Sequence, residues 1–362
     1  MSPTLEYNIR ATMSYRELFR IEQLPVFQNK VFATEAKAIA CRKGDVVLVQ
    51  NMETGLVYNA ASDQELLVYD ADYQNEQAYS DVFRQHLSAV TAIIDRHFRG
   101  KTLIEVGCGK GYFLKHLQQL GYQITGIDPA YDGISSHIVK ACFEPGLGLS
   151  ADGVVLRHVL EHMPDPVEFL AGIARANGDK GIIYIEVPCF DWICRTRAWF
   201  DVYYEHVNYF SPVDFERMFG KVLECGHLFG GQYLYIVSDL ASLRVPRASE
   251  RYTVEFPQDF LASIQGHVSI SKQGMQRAIW GGASKGVIFA LYMKRAGAVI
   301  DIVIDINPAK WGKYIAATGL RISKPDHALA LLKPEADIFV MNPNYLNEIV
   351  AQGGNRYKYR TV

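Results

Sequence analysis

Short apolar runs alternate with helix-length segments through the middle of the chain. Leu103-Ile104-Glu105-Val106, Gln123 to Asp128, Gly153-Val154-Val155-Leu156 and Gly181 to Glu186 read as buried strands. Helices over 112–120 and 166–175 fall among them, and that alternation means a parallel sheet covered by helices. The pattern restarts later: Arg277 to Trp280, a glycine turn, a helix to Arg295, then strands over 299–305 and 336–341. Upstream, Gly44-Asp45 turns into the strand Val46 to Gln50, and Thr54-Gly55 turns into Leu56-Val57-Tyr58. A polar, aromatic stretch from Tyr69 to Ser80 leads into a helix over 81–97. The pattern therefore predicts an α/β protein in three parts: an N-terminal cap over 1–85, a Rossmann-like unit over 86–240 and a second Rossmann-like unit over 241–362.

Length and composition narrow what this architecture does. A chain of 362 residues holds about two domains, and 49% apolar with 12% aromatic residues is ample for their cores. The net charge is -2, which suggests no general electrostatic attraction to nucleic acid or an anionic membrane. No apolar run reaches the ~18 residues of a membrane span, and Met1 to Arg20 lacks a signal-peptide core. Cysteines 41, 108, 142, 189, 194 and 225 include no CxxC pair, which argues against a disulfide framework or a thiolate zinc site. The expectation is a cytoplasmic enzyme acting on a small molecule, with its oligomeric state left open.

The chemistry concentrates first at Glu105-Val-Gly107-Cys108-Gly109-Lys-Gly111, with Asp128 at the end of the next strand. Glycines let the backbone turn sharply and approach a ligand, and the strand-end acid suits ribose hydroxyls. Dinucleotide loops read GxGxxG and seat a pyrophosphate. Here the spacing is GxGxG after an acid, which opposes a pyrophosphate and suits a cationic amino-acid end. The segment resembles motif I of class I methyltransferases. That resemblance implies S-adenosylmethionine as cofactor, with Glu105, Gly107, Cys108, Gly109, Gly111, Asp128, Pro129 and His158 around it. Downstream, Leu156-Arg-His158-Val-Leu-Glu161-His162-Met-Pro-Asp165-Pro166 looks like the segment after the fourth methyltransferase strand. His158 and His162 fall at a metal-compatible spacing, yet no third ligand stands beside them, so no metal site is expected.

Trp199-Phe-Asp-Val-Tyr203-Tyr204-Glu205-His206-Val-Asn208-Tyr209 packs phenols, a carboxylate and an imidazole into one run. Removing a proton beside a carbonyl needs a base and donors for the enolate, and histidine titrates near neutrality. The same groups serve to deprotonate a hydroxyl, or form an aromatic lid over the cofactor. Taken with Gly281-Gly-Ala-Ser-Lys285-Gly286 and Asn342-Pro-Asn-Tyr345-Leu-Asn-Glu348-Ile, the motifs resemble the nucleotide-sugar C-methyltransferases, across most of 65–350. These methylate C3 of a dTDP-4-keto-6-deoxysugar. The resemblance implies His206 as base, assisted by Glu205, with Tyr203 close to the sugar. It also implies Tyr73 or Tyr79, Tyr204, Asn208 and Lys285 around the substrate. The sequence departs from that family in having only Cys41 where members carry cysteine pairs for zinc, and in being short after Glu348. The second glycine loop lacks the lysine of a P-loop, since Val287 stands there; a phosphate cradle and a plain helix start fit it equally. Rival readings are an O-methyltransferase acting on a sugar or other metabolite, an NAD-dependent oxidoreductase and a non-catalytic binding protein.

Overall fold

The computed structural model describes residues 14–68, 73–74, 76–249, 253–270 and 274–362. Tyr69 to Asp72, part of the stretch expected to lead into the first long helix, lies outside them. The N-terminal region pairs β1 (Tyr15–Pro25) with β2 (Lys43–Asn51) and β2 with β3 (Val57–Asn59), all antiparallel. The fourth strand of this sheet comes from far along the chain: Asn208–Tyr209 pairs with Tyr58 and Val57. The run that carries the candidate catalytic groups is thus pinned to the cap by its own backbone.

The helix α1 (Asp81–Phe98) repeats apolar residues at helical spacing and buries Phe83, Leu87, Val90, Ile94 and Phe98 on one face. Its start is capped by the Ser80 hydroxyl, which accepts from the Phe83 amide. Next come β4 (Thr102–Val106), α2 (Tyr112–Gln119), β5 (Gln123–Ile127), β6 (Ile138–Val139) and β7 (Gly153–Arg157). They are followed by α3 (Pro166–Ala176), β8 (Ile182–Pro188), β9 (Val222–Leu228) and β10 (Tyr233–Asp239). Asp165 caps α3 and Pro166 fits its first turn, where no backbone N–H is needed.

These strands form one sheet in the order β9-β10-β8-β7-β4-β5-β6. The five strands from β8 to β6 are parallel, whereas β10 and β9 add an antiparallel edge. That edge was not expected from the sequence: β9 alternates half-buried and exposed residues and carries no continuous apolar run, whereas β10 does carry one, Tyr233 to Val237, and was not read as a strand. The predicted parallel strands, read from such runs, lie where expected.

The second unit is a wholly parallel sheet in the order β13-β12-β11-β14-β15. Its strands are β11 (Arg277–Trp280), β12 (Ile302–Ile304), β13 (Ile322–Ser323), β14 (Asp337–Val340) and β15 (Lys358–Thr361). The helix α4 (Lys285–Arg295) follows the glycine turn, with Val287 to Met293 all buried. Gly286 is obligatory there: a Cβ would stand 1.8 Å from the Gly281 carbonyl oxygen. The two units are clasped together. The Ser80 hydroxyl donates to Glu348 (2.6 Å), and the Gln232 and Asn342 amides bond reciprocally at 2.9 Å. Among the described residues no helix is long and apolar enough to cross a membrane.

Candidate active site

A cavity of about 580 Å³ lies where the loops after β4 and β11 face each other. Ligand clefts in open parallel sheets form at such carboxyl ends. Glu105, Gly107, Cys108, Gly109, Asp128, Pro129 and His158 line it on one side, Trp280, Gly281 and Ala283 to Lys285 on the other, and Tyr203 and His206 lie between them. Gly111, by contrast, is not on the wall and begins α2.

The first loop is shaped by a backbone only glycine tolerates. Gly107 has φ +74°, and a Cβ would press to 2.3 Å from Val159. The Asp128 carboxylate accepts the Gly109 and Ala130 amides, each at 2.8 Å. One bond per oxygen leaves lone pairs for two ribose hydroxyls. Glu105 is buried, and its Oε2 has no hydrogen bond. Burial, outweighing the pull of Arg157, raises its carboxyl to about 8. An orphaned buried acid beside a ribose-ready aspartate fits the ammonium and sugar ends of S-adenosylmethionine.

Because bound cation favours the ionised form of Glu105, cofactor binding is expected to release a proton. Affinity should therefore rise with pH up to about 8 and level off above it. Titration calorimetry in buffers of different ionisation enthalpy checks this, and Glu105→Gln should flatten the dependence.

Behind the loop sits a charged knot that sequence reasoning missed. Glu186, fully buried at the end of β8, accepts from Tyr184 Oη (2.7 Å) and Arg157 Nη2 (3.3 Å), meets His86 at 3.1 Å and pairs with His158 at 3.0 Å. Burial alone would raise Glu186, but Arg157 and the histidines hold it well below the usual carboxylate range. His158 responds in the opposite sense: burial pushes it down, while Glu161 and Glu186 outweigh that and hold it at about 9. It is a cation at neutral pH. Its positive φ of 54° is kept by these partners and by the Tyr233 ring at 4.5 Å. Only the buried acid at a strand end hinted at this in sequence.

The His206 ring sits edge-on to Tyr203 (4.6 Å) and to His162 (5.1 Å). Burial, then the charges of His162 and His158, hold it well below the usual imidazole range, so it is neutral with a free lone pair at neutral pH. Tyr203 donates to Asp201 (2.7 Å), a residue the sequence reading quoted without singling out.

Several expectations need correcting. The Glu205 carboxylate does not orient His206: it accepts from Tyr73 Oη (2.8 Å) and the Gln28 amide (3.1 Å) and is buried behind the wall. The backbone oxygen of Glu205 instead accepts from His162 Nδ1 (2.8 Å). Of the two tyrosine candidates, Tyr73 lines the cavity, whereas Tyr79 is 49% exposed and does not. Tyr204 packs against Gly44 and accepts the Asp63 amide (2.9 Å), so it faces the cap rather than the cavity. Asn208 spans to the Met163 carbonyl (2.6 Å) and braces the turn of Glu161 and His162 from behind. Lys285 lines the cavity, but its ammonium is engaged by Asp201 and Gln232, both at 2.8 Å, rather than held free for a phosphate.

Among the described residues the fold does not complete the His158–His162 pair with a third metal donor, but it gathers His162 into a different group. Glu161, His162 and His206 offer ligand atoms within 4.8 Å of one another. A proton-accepting His206 requires full turnover after chelation and dialysis. Loss of activity restored by manganese or zinc would make the three a metal centre instead.

The fold and the first loop define the class I, S-adenosylmethionine-dependent methyltransferases. Residues 76–222 match the model of a methyltransferase domain, and 256–359 that of a C-methyltransferase C-terminal domain. The chain is 26% identical over 128 residues to the C-methyltransferase NovU of Streptomyces niveus (31% of this chain, 30% of that one). It is 31% identical over 104 residues to a ubiquinone biosynthesis O-methyltransferase of Caulobacter vibrioides (24% and 41%). The chain thus spans well under half the length of either relative. Among solved structures, it resembles the plantazolicin methyltransferase BpumL in complex with SAH (15% identity, 45% and 86% coverage, TM-score 0.36).

Proposed function

We propose that this protein moves the methyl group of S-adenosylmethionine to a carbon beside a ketone in a small molecule, a nucleotide-linked 4-keto-6-deoxysugar. The observation that carries the reading is the neutral imidazole of His206 in the wall of a cavity shared by the cofactor loop and the second unit. The match of 256–359 to a C-methyltransferase C-terminal domain supports carbon as the acceptor atom.

His206 takes the proton from the carbon next to the ketone, and negative charge moves to the ketone oxygen. The carbon then attacks the methyl in line, and the methyl–sulfur bond breaks with its electron pair returning to sulfur. The cofactor supplies an activated methyl on a sulfonium. Protonated His158 adds a positive field to the same cavity, and holding the reactants in line supplies much of the rate. Glu205 and Tyr73 act from behind, the acid holding the tyrosine that reaches the cavity.

A second reading is methyl transfer to oxygen, favoured by the likeness to the ubiquinone O-methyltransferases; His206 would then deprotonate a hydroxyl. The test uses methyl-labelled S-adenosylmethionine with a panel of 4-keto and ordinary sugar nucleotides. Label on carbon is the expected result. Label only on oxygen moves the assignment to the second reading, and no incorporation with cofactor bound overturns both acceptors.

A further inference from the structure

Lys285 opens the helix of the second unit, yet its charge is spent in the first. Its Nζ lies 2.8 Å from Asp201 Oδ2 and 2.8 Å from Gln232 Oε1. It also sits above the Trp192 ring, 5.1 Å from the centroid. The other oxygen of Asp201 accepts the Tyr203 hydroxyl at 2.7 Å. Asp201 is 8% exposed and Tyr203 5%, so both bonds are shielded from competing water. Lys285, Asp201, Gln232 and Tyr203 all border the cavity, and the Tyr203 ring abuts His206.

This chain has a direction. A phenol has one proton, and here it points away from the reacting groups, to Asp201. What the Tyr203 oxygen can still offer is its lone pairs. It therefore cannot donate to a developing oxyanion without giving up Asp201, but it can accept from a hydroxyl on the bound molecule.

We propose that Lys285 is a positioning residue which, through Asp201, locks Tyr203 as a hydrogen-bond acceptor and so selects acceptors carrying a hydroxyl at that point. Because Lys285 belongs to the second unit and Asp201 to the first, the lock exists only while the two units are docked. The inference rests on the proposed function in taking this cavity as the acceptor site.

The test combines Lys285→Met, Lys285→Arg, Asp201→Asn, Tyr203→Phe and the Lys285→Met/Tyr203→Phe double variant of the full chain. Affinity for S-adenosylhomocysteine reports that each variant is folded. With tyrosine labelled at the ring carbon bearing the hydroxyl, the Tyr203 resonance is assigned by its absence in Tyr203→Phe. Lys285→Met and Asp201→Asn should both shift it, and Lys285→Arg should largely restore it. With a 4-keto-6-deoxy sugar nucleotide as acceptor, Lys285→Met should lower kcat about 10-fold, but less than about 2-fold once Tyr203 is already Phe. An unmoved resonance in both variants, or an equal loss in both backgrounds, overturns the proposal. If Lys285→Met fails to bind S-adenosylhomocysteine, Asp201→Asn carries the resonance test alone. A shifted resonance with no acceptor turned over by the wild type sustains the lock and counts against the functional reading instead.

Discussion

Replacing His206 by alanine is expected to lower methyl transfer by about 10²–10⁴-fold, the usual contribution of a positioned general base. S-adenosylhomocysteine affinity should stay close to wild type, because the cofactor-facing groups Glu105 and Asp128 belong to other strands. The ring is held by its neighbours rather than holding them: its described contacts are edge contacts to Tyr203, His162 and Tyr209. Single-turnover rates with saturating cofactor separate the two quantities. His206 is held well below the usual imidazole range, so the wild-type rate should not fall as pH drops from 8 to ~6. A rate that halves near the ordinary histidine value of ~6.5 would point to another group as base.

The largest stability effect is expected at Glu186. Glu186→Gln keeps the shape of the side chain but leaves Arg157 and protonated His158 around a neutral amide in a fully buried place. Breaking a buried pair in this way costs about 3–5 kcal/mol, measurable by denaturant unfolding without cofactor. The pH dependence follows from the direction of the shift. The folded carboxyl lies below its ordinary value of 4.5, so its contribution is complete above that pH and is lost as pH falls. The variant and the wild type should therefore converge in stability under acid conditions.

Much of this site was legible because parallel strands and glycine turns leave strong local marks. Glu105, Gly107 and Asp128 stand at fixed places on a strand-turn-helix unit, and the apolar runs around them locate the sheet. The same marks located the second unit from Ala278 to Val340. What failed were statements about which way a side chain points. Glu205 is next to His206 in sequence, but residues 202–207 form an irregular bend ahead of the strand Asn208–Tyr209, where side-chain direction follows no helix or strand repeat. Tyr204 and Glu205 are therefore lost to the cap and to Tyr73, and Asn208 to the turn behind the site. Contacts between distant segments left no local trace either. Lys285 finds Asp201 across 84 positions, and His206 completes a group with Glu161 and His162 only because two loops meet. The outermost antiparallel strand, Val222–Leu228, was missed for a related reason, since an edge strand with alternating exposure does not stand out as an apolar run.

Removal of a proton from carbon by His206 can be observed without methyl transfer. The protein would be held with S-adenosylhomocysteine and a 4-keto-6-deoxy sugar nucleotide in deuterated water, and deuterium gained beside the ketone followed by NMR. Exchange by the wild type that disappears in His206→Ala is the predicted result. Exchange that persists in the variant, or its absence in a wild type that still methylates the sugar, would contradict the assignment.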